Sequence, residues 1–349
     1  MTREWRSRRE WVTEGKPDVK YLKTMFEDAV VPVADCGKTE FGSHPKQDML
    51  LSEYMTYWQR VMNISETSST CDCQPERILY LKDWHFTKAY PDYGAYDLPS
   101  HFSVDWLNEF WSKRPDKRDD YRFVYMGPKG TWTPFHADVY RSYSWSANIC
   151  GSKRWLLVPP YGEENFKDSY GNTLVDIRNV KGNSKTTSPI EVIQNAGEVI
   201  FIPSGWYHQV ENLDDTISIN HNWANACNVD IMFEKLRSDL DEVQCAIGDC
   251  TEMDGWHEQC QAILLANSGV NYMEFIQYIS TIADRVLREL ECLRSSNTAE
   301  HKTEFLPSSL DVLSALVLFD FSAKRSLKLE EEIITTSGEL VQIVYFRVF

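Results

Sequence analysis

Between residues 76 and 225 the apolar positions fall into short runs punctuated by glycine and proline. Cys150-Gly151-Ser152-Lys153-Arg154-Trp155-Leu156-Leu157-Val158-Pro159-Pro160 reads as a tight turn and then a buried strand that two prolines end. In Gly197-Glu198-Val199-Ile200-Phe201-Ile202-Pro203 a glycine again opens an apolar strand and a proline closes it. After a short turn His208 opens a further strand, expected to pair onward through Thr216-Ile217-Ser218-Ile219-Asn220-His221-Asn222-Trp223. Many short strands separated by turn residues predict a mainly β jelly roll or barrel, not a βαβ sheet. Downstream the period changes from two to three and four. Phe275, Ile276, Ile279, Ile282, Val286, Leu290 and Leu293 mark an amphipathic helix started by Asn271, and Leu236, Leu240, Val243 and Ile247 mark another.

The same pattern divides the chain into a flanking segment (1–75), a β core (76–225), a helical region (226–320) and a tail (321–349). Within the first segment, Asn63-Ile64-Ser65-Glu66-Thr67-Ser68-Ser69-Thr70 predicts an exposed loop. Residues 296–304 predict a linker, and the apolar end Leu340–Phe349 carries no assignable role. The helices of the third segment either brace the core or form an interface between two copies.

Two of the predicted strands carry a metal-ligating set. In Thr133-Pro134-Phe135-His136-Ala137-Asp138, extended backbone turns His136 and Asp138 to one side and Ala137 to the other. His208 follows 70 residues after Asp138, in Gly205-Trp206-Tyr207-His208. Two imidazoles and one carboxylate on one face of an ion leave the opposite positions open, as in non-haem Fe(II) oxygenases. A lone His-x-Asp is common in surface turns; here the glycine- and proline-bounded strands around it change its weight. Lys153, 17 positions after His136, stands at the mouth of an apolar strand. Its ammonium either pairs with the distal carboxylate of a dicarboxylic co-substrate chelated to the metal, or is solvated in the turn. In Asn220-His221-Asn222, alternation turns either the histidine or both asparagines inward, and inward asparagines would help position the co-substrate. His44, His85, His101, His257 and His301 lack partner spacing and read as structural.

From Tyr125 to Trp223 the chain resembles the JmjC class of 2-oxoglutarate oxygenases, through the His-x-Asp pair, the later His208 and the turn Gly151-Ser152-Lys153-Arg154-Trp155. The resemblance implies a double-stranded β-helix, a cupin-like jelly roll flanked by α-helices. It implies Fe(II) on His136, Asp138 and His208, with 2-oxoglutarate and O₂ as co-substrates. Thr133 and Lys153 match positions that hold the 2-oxoglutarate carboxylate, and Tyr80, in Ile78-Leu79-Tyr80-Leu81-Lys82-Asp83-Trp84-His85-Phe86, resembles a tyrosine that does likewise in some members. Many relatives place an asparagine ten residues after the first histidine. Ser146 stands there, and Asn148, on the same strand face, is expected to substitute. Met126–Asp138, Tyr143–Gly151, Trp223–Ala226 and Gly269–Tyr272 narrow the resemblance to one branch of the class. For that branch the implied activity is hydroxylation of a lysine carbon in a eukaryotic translation termination factor, and similar helices in other JmjC hydroxylases imply a homodimer. N-methyl-lysine demethylation and a non-catalytic scaffold are the alternatives.

Composition adds limits. A net charge of −16 and a pI near 5.0 argue against direct nucleic-acid binding and favour a basic protein segment as partner. There is no 18-residue apolar run, so no membrane span is expected. The 9 cysteines are scattered, with only Cys71-Asp72-Cys73 closely spaced, so neither a structural zinc module nor a disulfide framework is expected. The expectation is a reduced, cytoplasmic protein, with the nucleus a second compartment and its thiols packed.

Overall fold

The computed structural model describes residues 2–67, 77–114, 120–180 and 188–295. The described residues divide into two compact units: residues 2–67, 77–100, 120–138, 143–180 and 188–222 form one, and residues 101–114, 139–142 and 223–295 the other. In the first unit, α1 (Arg6–Glu10), the hairpin β1 (Val12–Thr13) and β2 (Lys16–Pro17), and α2 (Val19–Met25) lead into β3 (Val30–Asp35), β4 (Lys46–Leu50) and α3 (Leu51–Thr67). Then come β5 (Leu79–Trp84), α4 (Phe86–Ala89), β6 (Arg122–Gly127), β7 (Trp132–Ala137), β8 (Tyr143–Cys150) and β9 (Lys153–Val158). The last strands are β10 (Ile190–Gln194), β11 (Val199–Ile202), β12 (Tyr207–Asn212) and β13 (Thr216–Trp223).

One sheet runs β11-β8-β13-β6-β5-β3-β4 and the other β10-β9-β12-β7. From β6 to β9 and again from β10 to β13, successive strands alternate between the sheets, which is the jelly-roll winding the turn pattern predicts. The pairing expected between the His208 strand and the next is not made. β12 lies between β7 and β9, whereas β13 pairs with β6 in the other sheet. Leu213–Asp215 make the crossing, and side chains hold them in it. Asp215 Oδ1 accepts from Trp58 Nε1 at 2.9 Å and Lys129 N at 3.3 Å, and Ser152 Oγ donates to Asp214. Gly151, at φ +73°, lies so close that a Cβ there would stand 2.3 Å from the Asp215 carbonyl oxygen, so only glycine fits this turn.

The loop expected at 63–70 is helical as far as Thr67, with Ser68–Thr70 outside the described residues. Leu51, Tyr54, Met55 and Trp58 bury one face of α3, and this packing carries the helix through a polar stretch with little propensity of its own. Residues 296–349, with the expected linker and tail, and Cys71 and Cys73 also lie outside the described residues. Of the described thiols, Cys36, Cys150 and Cys260 are packed, but Cys227 and Cys245 are exposed, against the expectation for them.

In the second unit, α5 (Trp106–Lys113) is followed by α6 (Val229–Ala246), α7 (Trp256–Ser268) and α8 (Tyr272–Ser295). α6 buries Met232, Leu236, Leu240 and Val243, and α8 buries Phe275, Tyr278, Ile282 and Val286, faces that follow the helical period. Asn271 starts α8 by accepting from Glu274 N at 3.0 Å. Phe110 meets Tyr278, and Arg114 and Glu109 pair with Glu274 and Arg285, fixing α5 on α8. Among the described residues no helix is long and apolar enough to cross a membrane.

Candidate active site

His136 is the penultimate residue of β7, Asp138 follows just past the strand's end, and His208 enters from β12 directly opposite His136. One ligand atom from each lies within 4.8 Å of the others, and His208 Nε2 stands 4.0 Å from Asp138 Oδ2. Each is oriented by a neighbour. His136 Nδ1 bonds the Pro134 carbonyl at 2.7 Å and His208 Nδ1 the Trp206 carbonyl at 3.4 Å, which leaves both Nε2 atoms free for a metal. Ser144 Oγ donates to Asp138 Oδ2 at 2.6 Å. Burial, followed by the neighbouring His208, pushes His136 down to about 4, so at neutral pH it is the uncharged imidazole that metals bind.

A β-bulge decides which face Thr133 presents. Counting back from His136 by simple alternation puts Thr133 on the opposite side of β7. But His208 pairs with His136 and Val210 with Thr133, so two steps on β12 match three on β7. The extra residue resets the alternation, and buried Thr133 shares the face of Val210 and His208. Phe135, within the bulge, packs outward against Leu156, Val158, Phe166 and Ile177.

Lys153 opens β9 and is 2% exposed, which rules out the solvated-turn reading. Its ammonium donates to Tyr80 Oη at 3.4 Å and meets no carboxylate among the described residues. Burial, then the charge of Lys82, pushes it down to about 7. Tyr80 is itself buried against β6, where a Cβ on Gly127 would stand 2.5 Å from its ring. Asn220 and Ser218 share one face of β13, their side chains 3.2 Å apart. His221 points the other way, stacked on Trp145 at 4.1 Å and bonded to Tyr96 Oη at 2.5 Å. Asn148 is buried on the face of Ser144 and Ser146, but its amide nitrogen serves the carbonyls of Gly151 at 2.8 Å and Gln194 at 3.5 Å. Only its carbonyl oxygen lacks a partner, and an acceptor offers a carboxylate nothing. Asn148 therefore braces the β8–β9 turn.

Sequence reasoning missed two residues. Ser144 was legible in principle, two positions before Ser146 on the same strand face. Lys82, two positions after Tyr80 on β5, is also buried, and its charge is felt by both His136 and Lys153.

A model of the JmjC domain, a hydroxylase, matches residues 123–223. The chain is 46% identical over 340 residues to a 2-oxoglutarate and iron-dependent oxygenase, JMJD4, of Gallus gallus, covering 94% of this chain and 77% of that protein. The Danio rerio protein of the same name is 46% identical over 323 residues, 90% of this chain and 74% of its own length. A protein of Arabidopsis thaliana named arginine-specific demethylase JMJ20 is 43% identical over 301 residues, 80% of this chain and 63% of that one.

Proposed function

The chain belongs to the JmjC family of 2-oxoglutarate- and iron-dependent oxygenases, and from that premise we propose that it hydroxylates a lysine side-chain carbon in a translation termination factor. The observation that carries the catalytic part is the intact set of His136, Asp138 and His208 beside a buried, acid-free Lys153. A scaffold has no use for either. The donor set fits iron: two imidazoles and a carboxylate, each held from behind. Bound there, iron supplies oxidation of a C–H bond by O₂, with 2-oxoglutarate oxidised to succinate and CO₂.

The chain's own side chains do the rest. His136 and His208 are held by their Nδ1 bonds with Nε2 toward the ion, and the Ser144 hydroxyl fixes the orientation of the Asp138 carboxylate. Lys153, with the Tyr80 hydroxyl, would take the distal carboxylate of 2-oxoglutarate, and Thr133 stands on the face to add a hydroxyl. Ile202, Val210 and Trp155 pack into one apolar cluster, with Trp155 beside His208, and would lower the local polarity around the ion pair. The net charge of −16 suits a basic peptide substrate. A cytoplasmic site of action and a homodimer through the C-terminal helices belong to the same proposal; light scattering tests the second.

Demethylation is the second reading, favoured by the 43% identity to a protein named as an arginine-specific demethylase. The products separate the two. Carbon hydroxylation leaves a stable added oxygen, whereas oxidation of an N-methyl group collapses to formaldehyde. The full chain is incubated with Fe(II), 2-oxoglutarate, O₂ and a lysine peptide from a termination factor, unmethylated and methylated. The expected result is one oxygen gained on the unmethylated peptide by mass spectrometry. Formaldehyde with loss of a methyl group, and no oxygen gained, overturns the proposal.

A further inference from the structure

Lys82 is a buried cation with no acid at ion-pair distance among the described residues; Asp83, its neighbour in sequence, attracts it only through space. Lys82 is 7% exposed, and its ammonium stands 5.7 Å from the centre of the Tyr125 ring. Among the described residues it makes no hydrogen bond and no ion pair. The neighbouring acid, Asp83, is already committed: Oδ1 accepts from Tyr125 Oη at 2.5 Å and Oδ2 pairs with Lys46. A largely buried ammonium without a contacting acid is costly, and a fold that keeps one is balanced when a ligand brings the counter-charge.

The position of Lys82 says which ligand. It lies two residues after Tyr80 on β5, and both side chains approach the Tyr125 ring, the Tyr80 ring 5.9 Å and the Lys82 ammonium 5.7 Å from its centre. Tyr80 also bonds Lys153. The charge of Lys82 is felt by both Lys153 and His136, so it lies near the metal ligands as well as near Lys153. Two ammoniums and one phenol, with the Asp83 carboxylate already held by Lys46 and Tyr125, make a receptor for a further carboxylate.

We propose that Lys82 is a second cation of the co-substrate pocket, closing with Lys153 and the Tyr80 hydroxyl on the distal carboxylate of 2-oxoglutarate. This rests on the 2-oxoglutarate oxygenase reading and adds a residue to it. A carboxylate has about four lone-pair sites, enough for all three donors. The double clasp makes the pocket selective for dicarboxylic over monocarboxylic 2-oxo acids.

The test is direct binding, without turnover. The full chain loaded with Mn(II) is titrated calorimetrically with 2-oxoglutarate and with 2-oxobutanoate, which keeps the chelating end but lacks the distal carboxylate. Lys82→Met is expected to lose about tenfold or more in 2-oxoglutarate affinity, one charge-assisted contact, and to bind 2-oxobutanoate as the unaltered protein does. Lys82→Arg is expected to recover most of the loss, which separates charge from packing. Mn(II) affinity by electron paramagnetic resonance reports for each variant whether the metal end is intact, and Lys82→Gln serves if the methionine variant does not fold. Unchanged 2-oxoglutarate affinity, or an equal loss on both ligands, overturns the proposal. If Lys153→Met loses 2-oxoglutarate while Lys82→Met does not, the co-substrate reading stands and the role of Lys82 falls. If the unaltered protein takes neither ligand with Mn(II) bound, both fall.

Discussion

Lys153 and Arg154 are neighbours on β9 and face opposite sides of it. Arg154 turns outward, where its guanidinium meets Glu211 at 2.5 Å. Glu211 also takes Arg178 at 3.1 Å, and Arg178 pairs with Asp176 at 2.7 Å while lying 4.3 Å over the Trp132 ring. Every cation of that surface has its acid. Lys153 turns inward, is buried more deeply, and has none. Charges that the chain pairs for itself hold the outer face of the sheet together; the charge it leaves unpaired is fitted to something that arrives with its own carboxylate.

The largest break comes at the opposite end of the pocket. Asp138→Ala removes the anionic ligand and leaves two imidazoles, so conversion of 2-oxoglutarate to succinate is expected to fall to background. The fold loses little more than the Ser144 hydrogen bond, a net change of about 1 kcal/mol in denaturant unfolding. Succinate formation at the unaltered rate would remove Asp138, and with it the metal site, from the comparison.

Next in size is Lys153→Ala. Removing one partner of a buried charge pair costs about 2–5 kcal/mol, so 2-oxoglutarate affinity is expected to drop by that amount while metal binding is spared. Calorimetric titration measures it, and an unchanged affinity would put Lys153 in the same class as Arg154.

The pH dependence sharpens the contrast, because Arg154 does not titrate and Lys153 does. Its value in the folded protein is about 7, below the unfolded value of about 10.4. Between those two values the unfolded chain binds more protons, so ligand-free stability is expected to rise with pH across that window. Binding runs the other way. The dicarboxylate needs the protonated amine, so its affinity is expected to fall as pH rises above about 7, by up to about tenfold per unit for one proton taken up. Lys82, also pushed down by burial, adds in the same direction. Denaturant unfolding and 2-oxoglutarate titration across this range give the two slopes, and Lys153→Met should flatten each; slopes of the same sign would contradict the assignment.

Much of this was legible, and the gaps have physical causes. Alternation places His136 and Asp138 on one side because that rule needs nothing beyond extended backbone. The same rule misplaces Thr133, because a bulge adds a residue and nothing in Pro134-Phe135 announces which strand will carry it. Period two says which face a residue takes, never which strand it pairs with, so the crossing of Leu213–Asp215 from one sheet to the other was not visible. The choice between His221 and its flanking asparagines was left open by alternation and settled by Trp145, 76 positions earlier in the chain. Adjacent opposite charges such as Lys82-Asp83 carry no periodic signal of burial. Only the fold, by giving the Asp83 oxygens to Lys46 and Tyr125, leaves Lys82 buried with no acid in contact among the described residues.

The smallest effect tests the other side of β9. The side chains of Arg154 and Glu211 are 31% and 19% exposed, so water and salt screen their attraction. Arg154→Met removes one of the two guanidiniums on Glu211 and leaves Arg178 in place, so Glu211 is not stranded without a cation. The expected loss is about 0–1 kcal/mol in denaturant unfolding, smaller still at high salt, with 2-oxoglutarate affinity unchanged. The methionine stem keeps the apolar contact of the arginine's methylenes, so the charge is what is tested. A loss of several kcal/mol would mean that the outer network carries the sheet. Weakened 2-oxoglutarate binding in this variant would mean that the two faces of β9 are not independent, and that the charge on Lys153 is set from outside the pocket as well as within it.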